Sequence, residues 1–401
     1  MRIPTAAAYG STVEQLQRRQ RDLGEMQQHI AASKRVQRAS DDPIAAARAE
    51  RALTTESRST ADGRAVEASR SAMTQAESAL GDAGDLLQQA RETLVASGNG
   101  IYTDAQRAVL SGQLRDLRTQ LLAIANRDDG AGGHLFGGQG AAAPPFVDAA
   151  GGAAFRGARG ATVADGAGQL PTTMDGAAVF LTAPTGNGTF ETRSVASAGS
   201  AWIDPGHVVD PSAVTGATYT LRFAVASGPS GSATTYAVLK DGVATAVTAA
   251  PYTAGQAIVV DGLSVAVNGA PKTGDAFELA PSTPTLGVFA VLDKAAADLA
   301  TPKTAGQAAQ ATSDGLRDLD AVLGRVIAAR SRAGDALNRI ASVGDRLGAA
   351  TLDAKTDRAA AEDIDLVAAY SDFQSRQTSY DAALKSYAAV QRLSLFDYLK
   401  G

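Results

Sequence analysis

Two acidic clusters are the first places in this sequence where side chains could do chemistry. Asp41 and Asp42 are adjacent, and near the other end of the chain Glu362, Asp363 and Asp365 form a second cluster. Paired carboxylates can bind a divalent cation or act as a general acid and base. Neither cluster has a histidine spaced beside it as a further ligand, and carboxylates are favoured where helices begin. We therefore expect both clusters to mark helix starts and solvated helix faces.

The composition gives little support for metal, thiol or nucleic-acid chemistry. The three histidines, His29, His134 and His207, lie in separate segments, and the chain has no cysteine, so neither a zinc site nor a Ser-His-Asp arrangement is indicated. The formal net charge is −5, with 37 basic and 42 acidic residues. A chain with this balance lacks the broad basic surface that binds phosphates. We expect no catalytic residue, no metal, no cofactor and no nucleic-acid partner.

A glycine-rich stretch at 130–140 looks superficially like a phosphate-binding loop. It lacks the Gly-Lys-Ser/Thr ending of such loops, and no strand is predicted before it. The stretch contains Leu135 and Phe136 between glycines. We expect a turn out of a helix, with these two side chains packed inward.

Both ends of the chain carry apolar stripes with a spacing of seven residues. The first stripe consists of Tyr9, Leu16, Leu23 and Ile30. The second consists of Leu366, Phe373, Tyr380 and Tyr387. This spacing is typical of a coiled-coil seam, and soluble monomers avoid exposing long apolar stripes. We predict that the two ends pair with each other and with other copies of the chain, and that these eight residues carry the assembly contacts.

Long helices are predicted between the terminal stripes. Asp42 and Pro43 restart a helix, because proline is tolerated at the first helical position and aspartate can cap it. Its seam is Val66, Met73, Leu80, Leu87 and Leu94, with Ala76, Ala83 and Ala90 between them. A helix from Pro43 to Ser97 would be roughly 80 Å long at about 1.5 Å per residue. A returning helix is predicted from Leu110, Leu114, Leu117, Leu121 and Ile124.

The character of the sequence changes at Asp128, where glycine, alanine and proline become dense, and the helical pattern returns after Pro284. Between these points, alternating segments predict strands at 219–225, 235–239, 257–260 and 263–267. The returning helical seam is Leu316, Leu319, Leu323, Val326, Ala333, Leu337, Ile340 and Leu347. We predict a mainly α fold with an inserted β domain, in which both chain ends form a long antiparallel coiled-coil rod with the β-rich domain at its tip.

Three domains follow from these patterns. Residues 1–36 with 362–401 would form a terminal coiled-coil assembly domain. Residues 37–140 with 285–361 would form a bundle of long helices, and residues 141–284 the inserted β-rich domain. The charged residues near the start interrupt every apolar run, so we expect neither a cleaved signal peptide nor a membrane-spanning segment.

Several short motifs resemble the bacterial flagellin superfamily. Near the start, Ser33-Lys34-Arg35-Val36 precedes Ser40-Asp41-Asp42-Pro43. Near the end, Arg330, Gly334, Asn338 and Arg339 stand in similar order and position. Within the superfamily, Leu135-Phe136-Gly137 and the Ser394-Leu395-Phe396-Asp397-Tyr398-Leu399 ending are most similar to the hook-associated family at the hook–filament junction. The resemblance covers roughly residues 1–146 and 285–401.

This resemblance implies a structural subunit of the flagellum, located outside the cell. Such a subunit would be exported unfolded through the flagellar type III channel, without a cleaved signal peptide, and then assembled through its terminal helices. The implied partners are other copies of itself, the first hook–filament junction protein, flagellin and a flagellar export chaperone.

Two alternatives remain open from the sequence. A filament flagellin would polymerise alone into long filaments, whereas a junction subunit would form only a bounded layer. A binding module would display the β insertion, at 141–284, as an adhesin on a helical rod. An enzyme is the least favoured class.

Overall fold

Seven α-helices make up most of the residues that the structure describes. The computed structural model describes the backbone of residues 5–98, 102–164, 166, 168–228, 231–301 and 303–399; the side chains of 5–9, 228, 231 and 390–399 are outside the described part. The helices are α1 (Thr5–Ala32), α2 (Pro43–Ser97), α3 (Asp104–Ala125), α4 (Gly176–Phe180), α5 (Val288–Ala300), α6 (Ala305–Glu362) and α7 (Leu366–Leu399). The predicted start of α2 at Pro43 and its unbroken course to Ser97 are confirmed.

The chain divides into two compact units. One contains residues 1–64 and 343–401, and the other contains residues 65–342. The fold is mainly helical with a β-rich insertion, as predicted. The three-domain division stays a prediction, since the helices α2 and α6 each contribute to both units.

The helical core of the second unit is built from narrow seams of leucine and alanine. Every predicted seam residue of α2 is at most 2% exposed. In α3, Leu114, Leu117, Leu121 and Ile124 are buried, and Leu110 is half-buried. Alternation of large and small side chains allows close helix packing without voids. The predictions for α2 and α3 are confirmed.

The buried face of α6 differs from the predicted seam. Leu319, Val326, Ala333 and Ile340 are at most 1% exposed, as predicted. The second buried line consists of Val322, Ala329, Ala336 and Val343. The four remaining predicted residues, Leu316, Leu323, Leu337 and Leu347, are only half-buried. The buried face of α6 therefore includes Ala329 and Ala336, which the prediction left out in favour of the larger leucines.

Within the described residues between α3 and α5 there are fourteen strands. They are β1 (Phe146–Ala149), β2 (Gly152–Phe155), β3 (Val163–Ala164), β4 (Leu170–Pro171), β5 (Phe190–Ala196), β6 (Trp202–Ile203), β7 (His207–Val208), β8 (Tyr219–Gly228), β9 (Gly231–Lys240), β10 (Val243–Ala244), β11 (Ala250–Pro251), β12 (Ala257–Val260), β13 (Leu263–Asn268) and β14 (Ala276–Pro281). The four predicted strands correspond to β8, β9, β12 and β13. The sequence reading missed β14 and β5, which pair with each other.

The strands form two larger antiparallel sheets around a common core. One sheet has the order β10-β9-β8-β14-β5, with β11 also paired to β9. The other has the order β12-β13-β6, with β7 paired to β13. Their shared core consists of Phe190, Ile203, Tyr219, Leu221, Phe223, Val238, Val265, Val267, Phe277 and Leu279, among others. The hairpins β1-β2 and β3-β4 are separate.

A buried polar network attaches this β region to α6. The Gln310 side-chain oxygen accepts from the Ile203 amide at 2.8 Å, and its amide nitrogen donates to Asp314 at 3.0 Å. The Arg317 guanidinium donates to the Thr192 carbonyl at 2.9 Å and also pairs with Asp314 and Asp318. These groups satisfy one another away from water, which favours one fixed arrangement of sheet and helix.

Candidate assembly surface

Two connectors bring the chain ends together in the unit formed by residues 1–64 and 343–401. The α1–α2 connector starts at Ser33, whose φ of 55° ends α1 in the left-handed region. Lys34 then pairs antiparallel with Asp363. The amides of Arg35 and Val36 donate to the Glu362 carbonyl at 2.7 and 3.3 Å. The two connectors therefore form a short backbone-paired crossing at which α1 ends and α7 starts.

The acidic clusters serve as helix caps at this crossing. One Asp42 carboxylate oxygen accepts from the amides of Ile44 and Ala45 at 3.1 and 3.0 Å, at the start of α2. Asp365 accepts from the amides of Val367 and Ala368 at 3.0 and 3.1 Å, at the start of α7. The predicted role of these carboxylates at helix starts is confirmed.

Asp41 folds the connector itself. Its carboxylate accepts from the amides of Gln37 and Arg38 at 3.0 and 2.9 Å. Bonds from Arg38 and Gln37 lower the pKa of Asp41, and bonds from Ala45 and Arg35 lower the pKa of Asp42. Both carboxylates thus favour the ionised form, because that form accepts the backbone hydrogen bonds. Ser40 is exposed and lies within hydrogen-bond range of Asp41.

Ion pairs reinforce the crossing. Lys34 pairs with Glu362 at 3.0 Å, and Arg358 contacts Glu362 and Glu56 at 3.5 and 2.8 Å. Each pair has at least one partly exposed member, so each contributes modestly. The Arg35 guanidinium adds a bond to the Ala361 carbonyl at 2.8 Å. Together these contacts determine where α7 starts relative to α1.

The terminal helices α1 and α7 pack along each other in antiparallel order. Lys34 lies opposite Asp363 at the crossing, and further along the pair the Arg19 guanidinium of α1 donates to the Ser379 carbonyl of α7 at 3.0 Å. The two contacts give nearly the same alignment. It places the predicted stripe residues level with one another in pairs, Ile30 with Leu366, Leu23 with Phe373 and Leu16 with Tyr380.

The predicted assembly residues are only partly covered by this pairing. Leu16, Leu23, Ile30, Phe373, Tyr380 and Tyr387 are half-buried. Leu366 is 48% exposed, and the side chain of Tyr9 lies outside the described residues. Ala369, which the sequence reading passed over, is the buried residue at the start of α7, at 7% exposure. One helix pair therefore leaves much of its seam region open to water.

The Leu135-Phe136-Gly137 motif has a packing role in the other unit. Leu135 and Phe136 are fully buried, and the Phe136 ring meets the Phe180 ring edge-on with centroids 5.1 Å apart. The inward packing predicted for this turn is confirmed. At Gly138, φ is +71° and a Cβ atom would clash with the Ala158 carbonyl oxygen, so only glycine fits this position.

The motif of Arg330, Gly334, Asn338 and Arg339 near the end of the chain has one member that makes a contact and others that are exposed. Arg330 bonds to Glu77 at 2.6 Å, and its guanidinium lies over Gly81. Asn338 and Arg339 are exposed, and a Cβ atom at Gly334 would meet nothing within 4 Å. The fold of one chain thus explains Arg330 but gives no reason for glycine at 334.

The three histidines lie in three different environments. His29 lies within hydrogen-bond distance of the Lys34 carbonyl, 2.9 Å away, and His134 is buried within 3.0 Å of the Asn126 carbonyl. His207 is exposed on β7. Over the described part of the chain, no three His, Asp or Glu side chains gather as a metal site would need. The described helices also include none with the length and hydropathy of a membrane span.

Comparison with known proteins points to one group. The bacterial flagellin N-terminal helical region matches residues 3–141. Flagellar hook-associated protein 3 of Salmonella typhimurium is 32% identical over 152 residues, which are 38% of this chain and 48% of that protein. The Escherichia coli protein of the same name is also 32% identical, over 47% of its length. The chain thus spans about half the length of the curated relatives it matches.

Solved structures extend the likeness. The flagellar junction protein FlgL from Legionella pneumophila superposes with a TM-score of 0.63 at 25% identity, over 69% of this chain and 93% of that one. Xanthomonas campestris FlgL gives 0.67 at 25% identity, over 77% and 98%. The resemblance to hook-associated protein 3 is confirmed.

Proposed function

We propose that this chain is a structural subunit of the bacterial flagellum and forms the layer between hook and filament. The observation that carries the proposal is the α1–α7 pair, in which the described stripe residues are half-buried or, at Leu366, exposed in one chain and would be covered by further copies. The likeness to hook-associated protein 3, by sequence and by structure, supports the location. The role is assembly, without a chemical step.

The same proposal includes the route and the neighbours. The subunit leaves the cell unfolded through the flagellar type III channel, with an export chaperone bound before export. It then contacts other copies of itself, the first hook–filament junction protein on one side and flagellin on the other. Leu16, Leu23, Ile30, Leu366, Phe373, Tyr380 and Tyr387, together with Tyr9, are the proposed contact residues.

The test is a deletion of this gene in the source bacterium. We expect cells with hooks but without filaments, and flagellin released into the medium. The full-length chain should restore filaments, whereas a chain lacking residues 391–401 should be found in the medium without restoring them. Normal filaments and motility in cells carrying only the shortened chain would refute the proposal.

Two further experiments, one with purified protein and one with the deletion strain, distinguish the two alternatives from the proposal. If the chain were a filament flagellin, purified protein added to isolated hooks would grow into long filaments instead of a bounded layer. If the β region were an adhesin, the deletion would abolish surface attachment while filaments stayed normal. Electron microscopy and an attachment assay distinguish these outcomes.

A further inference from the structure

The two sides of the α1–α7 pair differ in chemistry. In a coiled coil, the residues next to the seam also repeat every seven positions, and they form one line on each side of it. On one side, the α1 line is Val13, Gln20 and Gln27, and the α7 line is Tyr370, Gln377 and Leu384. None of these six residues is charged. We call this the uncharged side.

The opposite side is polar and partly charged. Its α1 line is Gln15, Asp22 and His29, and its α7 line is Asp372, Ser379 and Ser386. Asp372 pairs with Arg376 at 2.9 Å, and the Arg19 guanidinium reaches the Ser379 carbonyl from α1. We call this the serine side. The antiparallel alignment and the right-handed turn of both helices place each α1 line on the same side as its α7 line.

The uncharged side is exposed in the single chain. Tyr370 is 63% exposed, Leu384 39% and Val13 37%. The Tyr370 ring leans edge-on against Phe373, with centroids 6.4 Å apart, and so stands beside the seam. Lines that flank a solvated seam usually carry Glu and Lys, whereas the centre of an interface is depleted of charge and enriched in tyrosine. The composition of this side is therefore that of a covered surface.

We propose that the uncharged side packs against the serine side of the α1–α7 pair in a second copy of this chain. The inference rests on the proposed function and adds which faces meet. Contact between two uncharged sides would give a closed two-fold pair, which cannot continue into a layer. Contact between different sides can repeat around a ring. The short side chains of Ser379 and Ser386 leave room beside α7 for the Tyr370 and Leu384 side chains.

Cysteine cross-linking tests which sides meet, because the natural chain has no cysteine. Full-length chains carrying Gln377→Cys or Leu384→Cys are mixed in the deletion strain with chains carrying Ser379→Cys or Ser386→Cys, and isolated flagella are oxidised. A disulfide needs Cα atoms within about 7 Å. We expect linked dimers in at least one mixture and none from any single variant. Dimers from Gln377→Cys or Leu384→Cys alone would overturn the proposal, as would no dimer in any mixture that restores filaments.

A pair of bulky substitutions gives a matched second test. Ser379→Trp fills the serine side, while Thr378→Trp adds the same ring at the adjacent residue, which points away from α1 and from both sides. Ser379→Trp should reduce the fraction of cells with filaments about tenfold, equivalent to about 1.4 kcal/mol in an assembly equilibrium. Thr378→Trp should leave that fraction near the wild-type value.

The two tests separate this inference from the proposed function. If the wild-type chain itself fails to restore filaments in the deletion strain, the proposed function fails. If the wild-type chain restores them and the two tryptophan variants behave alike, only the proposed contact between sides fails. Circular dichroism of both purified variants should match that of the wild-type chain, since both substituted residues are exposed.

Discussion

Replacing Phe136 by alanine should strongly destabilise the helical core of residues 65–342. The ring is 0% exposed and packs edge-on against Phe180, with an interplanar angle of 82°. Truncating a buried phenylalanine to alanine costs about 3–5 kcal/mol, and the lost aromatic contact, worth about 0.5–1.5 kcal/mol, places this site in the upper half of that range. Since whole domains are stable by only about 5–15 kcal/mol, the loss is large.

Urea unfolding of the full-length chain provides the measurement. Far-UV circular dichroism follows the helices, and the fluorescence of Trp202, the only tryptophan, follows the β region. The midpoint of the helical transition should fall for Phe136→Ala while its slope stays unchanged, as expected for a loss of stability alone. Phe136→Leu should lose only about 1–2 kcal/mol, because most of the volume is kept.

Val147→Ala is the matched control on the surface. Val147 is 46% exposed, so its truncation should change the free energy of unfolding by less than about 0.5 kcal/mol. A loss below about 1 kcal/mol for Phe136→Ala would refute the reasoning. It would mean that the Leu135-Phe136-Gly137 motif does not act through packing.

Three further predictions concern caps, turns and buried charge. Asp42→Ala should increase amide exchange at residues 44–48 about fivefold by removing the α2 cap, with Asp42→Asn as control. Because the pKa of Asp42 is lowered in the folded state, the stabilisation that its carboxylate provides should be present above pH 3.8. It should disappear as the pH falls through the lowered pKa. Gly138→Ala should lower the free energy of unfolding, measured by thermal unfolding, by more than about 1 kcal/mol. Gly112 lies within α3 with open space around its Cβ position, so Gly112→Ala should raise the free energy of unfolding by up to about 1 kcal/mol. Burial raises the pKa of Asp314 above 3.8, so the folded state binds its proton more tightly and its contribution to stability should decrease as the pH rises through that raised value. Asp314→Asn should flatten this part of the melting-temperature profile, and an unchanged profile would contradict the assignment.

Periodicity predicted the helices well wherever one face alone is buried. The α2 seam from Val66 to Leu94 and the start at Pro43 could be predicted because a seven-residue repeat and a proline both act locally. The same reasoning placed a packed turn at Leu135 and Phe136. The α6 seam was half wrong, since Ala329 and Ala336 are buried while Leu323 and Leu337 are only half-buried. Spacing alone could not decide between these two lines, because the buried face of a helix depends on its tertiary neighbours.

The strands show the limit of local reasoning more clearly. The strands β8 and β9 alternate strongly and were predicted as strands, although their pairing with each other was not predicted. The strands β14 and β5 pair across separations that run from Ala276 with Ala196 to Pro281 with Phe190, and neither alternates strongly enough to be recognised alone. Partners that are distant in sequence are selected by the closure of the whole sheet, which a short window cannot contain.

The sequence by itself determined that both ends of this chain are helices with matching seven-residue stripes, because spacing along a helix is enough to define a face. It also determined the caps at Asp42 and the turn glycines. Only the tertiary structure decided the alignment of α1 with α7, since the crossing of the connectors at Lys34 and Asp363 sets it. That alignment places the uncharged lines of α1 and α7 on the same side of the helix pair. The side on which a residue lies is defined only once the position of the partner helix is known.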